Sequence, residues 1–260
     1  MTVVILGCGA VGTLAAERLL AAGQAVLGVR RSPPAAPRVP LIAGDAADPA
    51  LWQRLPAPSA VLLTATPGHR RGRDHRLAEA ARLVPPGVRL VYSGTTAVYG
   101  DAAGAAVDED GPLAAEAGPL LAIEAAVLAH GDALVLRCPA LVGPQRRQLD
   151  ERLRAAASAG VPLTVAGDPD RPFSFLHEAD LAELLVSAII GPLRALRGVY
   201  NAAHPRPITL REHYRAAAQR AGVELAIVGD GTARPRRAIA VERLLAALPP
   251  TWRWRGPADP

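Results

Sequence analysis

Three groups of residues in this chain are spaced for chemistry. Residues 7–12, "GCGAVG", can cradle phosphates. Gly7 permits a tight turn, Gly9 lets backbone approach a pyrophosphate, and Gly12 lets a helix pack closely on a strand. Ala10 and Val11 open the helix whose N–H groups would face the phosphates. A glycine turn that binds nothing is the plain alternative, but this one follows a strand and opens a helix, the context the motif needs. Cys8 reads as a small filler. The second group is Arg30 and Arg31, at the end of the second strand. An NAD site usually has an acid there for the ribose 2′-hydroxyl. No acidic residue lies between Glu17 and Asp45, so two guanidiniums suit a 2′-phosphate, and NADP(H) is expected over NAD(H). The alternative is that both point into solvent. Asp45, in "AGDAAD", could accept from an adenine amine or simply cap the next helix. The third group is the hydroxyls of "SGTTAVYG", residues 93–100, at the end of a buried strand where they can face a cofactor.

Positioning these groups requires strands that alternate with helices. Strand-like runs fall at 2–6, 24–29, 40–44, 59–65, 88–93 and 133–138, with helical segments near 10–23, 49–55, 72–84 and 113–129. That order implies parallel βαβ units. The fold class expected is α/β, a Rossmann-type doubly wound parallel sheet. Ala65 and Thr66, closing the fourth strand, join the cofactor-binding residues. From 139 the alternation is less regular: short strands at 161–167 and 172–177, a helix at 178–190, a strand at 198–203, a helix at 209–221 and another in "AIAVERLLAAL". We expect a dinucleotide-binding core over 1–143 and a smaller C-terminal substrate lobe over 144–260, with the segment near 198–203 returning to the sheet.

Composition narrows the partners. The chain has 260 residues, half of them apolar, with a net charge of +5. Its pI is about 10.0. The arginines are dispersed without interleaved aromatics, so a solvated basic surface is expected rather than nucleic-acid binding. No apolar run reaches membrane-spanning length, and the N-terminus lacks the basic start of a signal peptide. Cys8 and Cys138, far apart, fit a reduced cytoplasmic protein, and the metal-ligating residue types do not cluster. A small-molecule substrate and a homodimer are the expected partners.

Several segments together resemble the extended and atypical short-chain dehydrogenase/reductases, the NAD-dependent epimerase/dehydratase family. They are the glycine turn, "GDAADPALW", "LVYSGTTAVYG", "LRCPALVGP", "FSFLHEADLAELL" and "GVYNAAHPRPITLRE". The resemblance places the family's catalytic hydroxyl on Thr95 and runs the chain past the nicotinamide at Pro139 and Gly143. It also implies a Tyr-x-x-x-Lys pair on the helix after the fifth strand. Here that helix has no tyrosine, and all 29 basic residues of the protein are arginine. Glu116 and Leu120 fall near the two positions, so the chain looks most like an atypical branch lacking the pair.

Candidates for the missing acid/base each have a plainer reading. Glu116 could occupy the vacated space or be a solvated helix-start residue. His177, at the entry to the lobe, could transfer a proton or be a hydrogen-bonded structural histidine. Tyr99 could be the acid, although the family's tyrosine there is usually structural. Asp108, Glu109 and Asp110 read as a solvated loop. Two functions follow: an NADP-dependent oxidoreductase or epimerase-like enzyme for a small polar metabolite, or a non-catalytic NADP-binding, redox-responsive regulator.

Overall fold

The computed structural model describes residues 2–65, 75–144 and 147–259, so Thr66 lies outside the described residues. In chain order, β1 (Thr2–Leu6) leads through the glycine turn into α1 (Ala10–Ala21), β2 (Ala25–Arg30) and β3 (Leu41–Ala43). The short α2 (Pro49–Trp52), β4 (Pro58–Leu63), α3 (His75–Arg82), β5 (Arg89–Thr95), β6 (Ala106–Val107), α4 (Gly118–Leu128) and β7 (Ala133–Cys138) follow. The chain continues through β8 (Ala140–Val142), α5 (Arg147–Ser158), β9 (Leu163–Val165), β10 (Pro172–Phe173) and β11 (Phe175–His177). Last come α6 (Glu178–Ile190), β12 (Gly198–Asn201), β13 (Ile208–Thr209), α7 (Leu210–Ala221), β14 (Ile227–Gly229), β15 (Ala238–Ile239) and α8 (Glu242–Leu245).

Seven strands form a parallel sheet in the order β12-β7-β5-β4-β1-β2-β3. From β1 the chain builds outward first through β2 and β3, then crosses back to β4 and builds the other way. This is the Rossmann-like, doubly wound α/β fold, with its topological switch point between β1 and β4. The strands read as unbroken apolar runs because both faces are covered. On one face α1, α6 and the C-terminal Trp252 and Trp254 pack over Val3, Ile5, Leu62, Leu134 and Leu136. On the other, α2, α3 and α4 pack over Val4, Leu6, Val61, Leu63 and Val135. A separate cluster joins α5, α7, β9 and β14. Among the described residues, no helix is long and apolar enough to cross a membrane.

Two buried arginines tie elements to the sheet. Arg89 bonds Asp132 at 2.6 Å and donates to the carbonyls of Ala188, Leu193 and Leu196, which closes the end of α6. Arg137, in β7, pairs with Glu124 of α4 at 2.8 Å and fixes that helix against the sheet.

Several element boundaries differ from the sequence expectation. The helix near 113–129 begins only at Gly118, with Pro119 in its first turn. Residues 112–114 are drawn instead into pairing with the segment after β5, through Gly100 N–H to Pro112 O and Ala114 N–H to Val98 O. The run 172–177 splits into β10, antiparallel to β13, and β11, parallel to β8. "AIAVERLLAAL" is not one helix: β15 pairs with β6, and only Glu242–Leu245 is helical. The helix α5 was not expected, because its sequence is rich in charge and alanine and carries few apolar residues to mark a face.

Candidate active site

The strand ends at the switch point set the site. Leu6 pairs with Leu63, Leu63 with Tyr92, and Thr95 with Cys138. Gly7, Ala65, Thr95 and Pro139 therefore stand at or just beyond the C-terminal ends of four neighbouring strands, where ligands bind in open α/β sheets.

At the phosphate end, each glycine has a distinct reason. Gly7 has φ +88°, and a Cβ there would lie 2.4 Å from Ala65 backbone. A Cβ on Gly12 would meet Thr64 Oγ1 at 3.0 Å and Ile5 Cγ2 at 3.2 Å, so α1 can approach the sheet only as glycine. Gly9 is different: among the described residues, its Cβ would find only Gly7 O, at 3.8 Å. The space over Gly9 is open, and it lies at the N-terminus of α1, where N–H groups have no partner within the helix. Thr64 donates to Gly7 O at 3.1 Å and holds the turn. Cys8 is fully buried, and its sulfur occupies the space above Gly28, 2.7 Å from where a Cβ would stand. These residues fit a dinucleotide: a rigid turn, an unfilled cradle and free helix N–H groups.

At the adenosine end, Arg30 and Arg31 are both exposed. Asp45 does not cap α2; Asp48 does, accepting from Ala50 N–H at 3.0 Å. Asp45 accepts from Ala47 N–H at 3.0 Å and from Arg76 Nε at 3.1 Å. Burial alone would raise its carboxyl, but those donors and the charges of Arg76 and Arg31 hold it below the usual range.

At the nicotinamide end, Thr95 is half-buried and caps the short turn 96–98, its Oγ1 accepting from Ala97 N–H at 3.1 Å. Its own proton remains available to a substrate oxygen. Pro139 is half-buried beside it, one residue past the end of β7. Gly143 has φ +139°, and a Cβ there would lie 2.6 Å from Glu178 Cγ, so the chain passes against the first turn of α6.

A cavity of about 480 Å3 adjoins this segment, lined by Ala97, Gly100, Pro112, Leu113, Glu116 and Arg237 among others. Glu116 thus opens onto this cavity, and it is exposed. Leu120 is buried. Arg237, which sequence reasoning passed over, is pinned at the wall by bonds to Thr96 O at 3.0 Å and Gly100 O at 3.2 Å. The run "RPRR", beside a segment returning to the site, was the available signal.

Two candidates are corrected. Tyr99 is 1% exposed; its hydroxyl donates to Asn201 Oδ1 at 2.6 Å and accepts from Arg137 at 2.9 Å. Burial pushes the phenol pKa up, only partly offset by Arg137. Tyr99 borders the cavity but belongs to a buried hydrogen-bond network in which its proton is already given to Asn201. His177 is likewise 1% exposed. Its Nδ1 caps α6, accepting from Ala179 N–H at 3.2 Å, and Nε2 bonds Asp259 O at 3.3 Å. Both ring nitrogens are thus engaged within the protein. Glu109 also departs from the solvated-loop reading: it accepts from Asn201 N–H at 2.7 Å and joins the same network.

Residues 3–203 match the family model for the NAD dependent epimerase/dehydratase family, and the chain belongs to that family. The family is one of nicotinamide-dependent enzymes, and this chain carries the enzymes' fold. UDP-glucose 4-epimerase of Thermus thermophilus, in complex with NAD, superposes with a TM-score of 0.73 at 22% identity, covering 95% of this chain and 92% of that one. The dTDP-glucose 4,6-dehydratase of Bacillus anthracis, with NAD, gives 0.77 at 18% identity over 95% and 90% of the two chains. The Bordetella bronchiseptica enzyme WbmG, with NAD and UDP, gives 0.75 at 20% identity over 98% and 90%. At these identities the likeness is one of fold. No curated protein sequence matches the chain significantly.

Proposed function

We propose that the protein is an NADP(H)-dependent oxidoreductase or epimerase-like enzyme, acting on a small anionic metabolite without the Tyr/Lys relay. The observation that carries this reading is the row of strand ends at the switch point, open over Gly9 and ending at Thr95 beside the Glu116 cavity. When bound, the dinucleotide supplies hydride exchange at its nicotinamide ring. Gly7, Gly9, Ala10, Val11 and Gly12 would hold its pyrophosphate, Arg30 and Arg31 its 2′-phosphate, and Ala65 and Pro139 would flank it. Thr95 donates to the substrate oxygen as charge develops there. Glu116, open to the cavity, exchanges the proton.

The substrate class follows from charge. Arg171 and Arg237 are half-buried; burial lowers both guanidiniums, with repulsion from Arg234 adding at Arg171 and from Arg171 adding at Arg237, the one of the two that lines the cavity. Like charges gathered beside a cavity favour an anionic ligand. A nucleoside-diphosphate sugar has that chemistry, and the relatives named above include enzymes described with UDP or with such sugars. Both cysteines are free and buried, in keeping with a cytoplasmic protein. Neither the family match nor the fold favours the non-catalytic regulator.

The test is NADPH or NADP+ turnover against a panel of nucleotide sugars and small carbonyl and hydroxyl compounds. Thr95→Val keeps shape and deletes the hydroxyl. It should cut turnover about 10²–10³-fold, the scale of one preorganised donor, while NADPH affinity stays within a few-fold. Glu116→Gln should likewise lower turnover without loss of binding. Wild-type rates in both variants would refute these roles.

A further inference from the structure

Arg76 stands apart from the other surface arginines. It comes from the first turn of α3, after β4, yet its guanidinium turns to the loop that follows β3. There it meets Asp45 Oδ2 with Nε at 3.1 Å and with a terminal nitrogen at 2.9 Å. This contact uses one edge of a planar fork that has five N–H donors, and among the described residues the second edge remains for another partner. Asp45 is equally constrained, with Oδ1 accepting from Ala47 N–H at 3.0 Å.

The surroundings say what that partner carries. Gly44 N–H donates to Arg30 O at 3.2 Å, so the ends of β2 and β3 are held side by side. Asp45 therefore sits next to Arg31, and Arg76 and Arg31 both act on its carboxyl electrostatically. Two guanidiniums, those of Arg31 and Arg76, act on this one carboxylate, and Arg30 is exposed at the neighbouring strand end. Arg76 and Asp45 are 43% and 34% exposed, open to a ligand, and an ion pair so exposed does little for stability. The corner holds a surplus of positive charge at the adenosine end of the cleft.

We propose that Arg76 is a specificity-determining residue for the cofactor: held by Asp45, it completes with Arg30 and Arg31 the site for a ribose 2′-phosphate. Asp45 is then a positioning residue and not the acceptor for the adenine amine. Fork geometry suits this division, one edge on a carboxylate and the other on a phosphate. The inference rests on the NADP(H) reading above and extends it to a helix the strand-end argument does not reach.

The test is binding alone, by fluorescence or calorimetric titration of NADPH, NADH and 2′,5′-ADP. Wild type, Arg76→Gln and the double variant Arg30→Ala with Arg31→Ala are compared, with thermal unfolding as the folding control. Arg76→Gln should weaken NADPH and 2′,5′-ADP about tenfold or more, the loss of one charge-assisted contact, and leave NADH within about two-fold. Arg76→Lys should recover only part, because a point charge cannot bridge two anions in the plane of a fork. Unchanged NADPH affinity in Arg76→Gln, with a loss in the double variant, would overturn the role of Arg76 and leave the NADP(H) reading standing. Equal losses for NADPH and NADH would instead assign Arg76 to the adenine and also overturn it. Equal affinity of the wild type for NADPH and NADH would overturn both.

Discussion

At the phosphate end of the cleft, two of the three glycines sit where the fold itself needs the absence of a side chain, and the third faces open space. Gly7 clears Ala65, Gly12 clears Thr64 and Ile5, and Gly9 leaves open space. At the nicotinamide end, the strand and its hydroxyl are kept, but the helix that would bring an acid/base has none of the expected residues. Near that strand end stand Glu116 on a cavity wall, buried Leu120, and Arg237 arriving from the far end of the chain. The difference teaches that holding a dinucleotide and moving a proton are separable demands. The first is met by backbone, which only glycine placement can satisfy. The second is met by side chains, which another element can supply.

The comparison can be broken most severely at the phosphate end. Gly9→Val places a branched side chain in the open space and should abolish NADPH binding in a protein that stays folded, read by fluorescence titration and circular dichroism. Normal binding would mean that the cofactor lies elsewhere.

A second prediction concerns the lobe. Burial lowers the His213 imidazole to about 4, with Arg220 adding to the effect. Its ring stacks on Phe173 and meets Tyr214 edge-on, and Arg220 in turn faces Asp150 at 3.5 Å. A histidine whose folded pKa lies below its unfolded value of 6.5 binds fewer protons folded than unfolded. Stability is therefore full above pH 6.5 and falls as pH drops towards 4, by at most on the order of 3 kcal/mol. His213→Phe should flatten that slope in urea unfolding measured between those two pH values. An unchanged slope would remove His213 as its cause.

The third prediction sharpens the assignment of Tyr99. Tyr99→Phe removes the hydroxyl that joins Arg137 to Asn201, leaving Asn201 Oδ1 without that donor, and should cost about 1–3 kcal/mol in unfolding free energy. Turnover measured at a temperature where the variant is folded should equal wild type. A large drop in kcat would return Tyr99 to the chemistry.

The sequence made the cradle legible because its requirement is steric and local: a strand, three spaced glycines and a helix within about two dozen residues. The doubly wound sheet was legible for a similar reason, since apolar runs alternating with helices admit few arrangements. What it did not disclose depends on contacts between distant segments. His177 reads as a candidate acid until Asp259, 82 residues on, is found bonded to Nε2. Glu109 reads as solvated until Asn201 reaches it across 92 residues. Arg76 carries no local signal and Arg237 only the run "RPRR", since an arginine in a loop or first helical turn looks like surface until the fold brings a partner. The split of "PFSFLH" was hidden because a strand's period does not say which neighbour it pairs with.

The measurement that tests the central claim most directly is a crystal structure with NADPH bound. The account places the pyrophosphate over Gly9 against the N–H groups of Ala10 and Val11, the 2′-phosphate at Arg30 and Arg31, and the nicotinamide in contact range of Thr95 Oγ1, with the Glu116 carboxylate opening onto the same space. A pyrophosphate bound away from the glycine turn, or a nicotinamide ring remote from both Thr95 and Glu116, would contradict it.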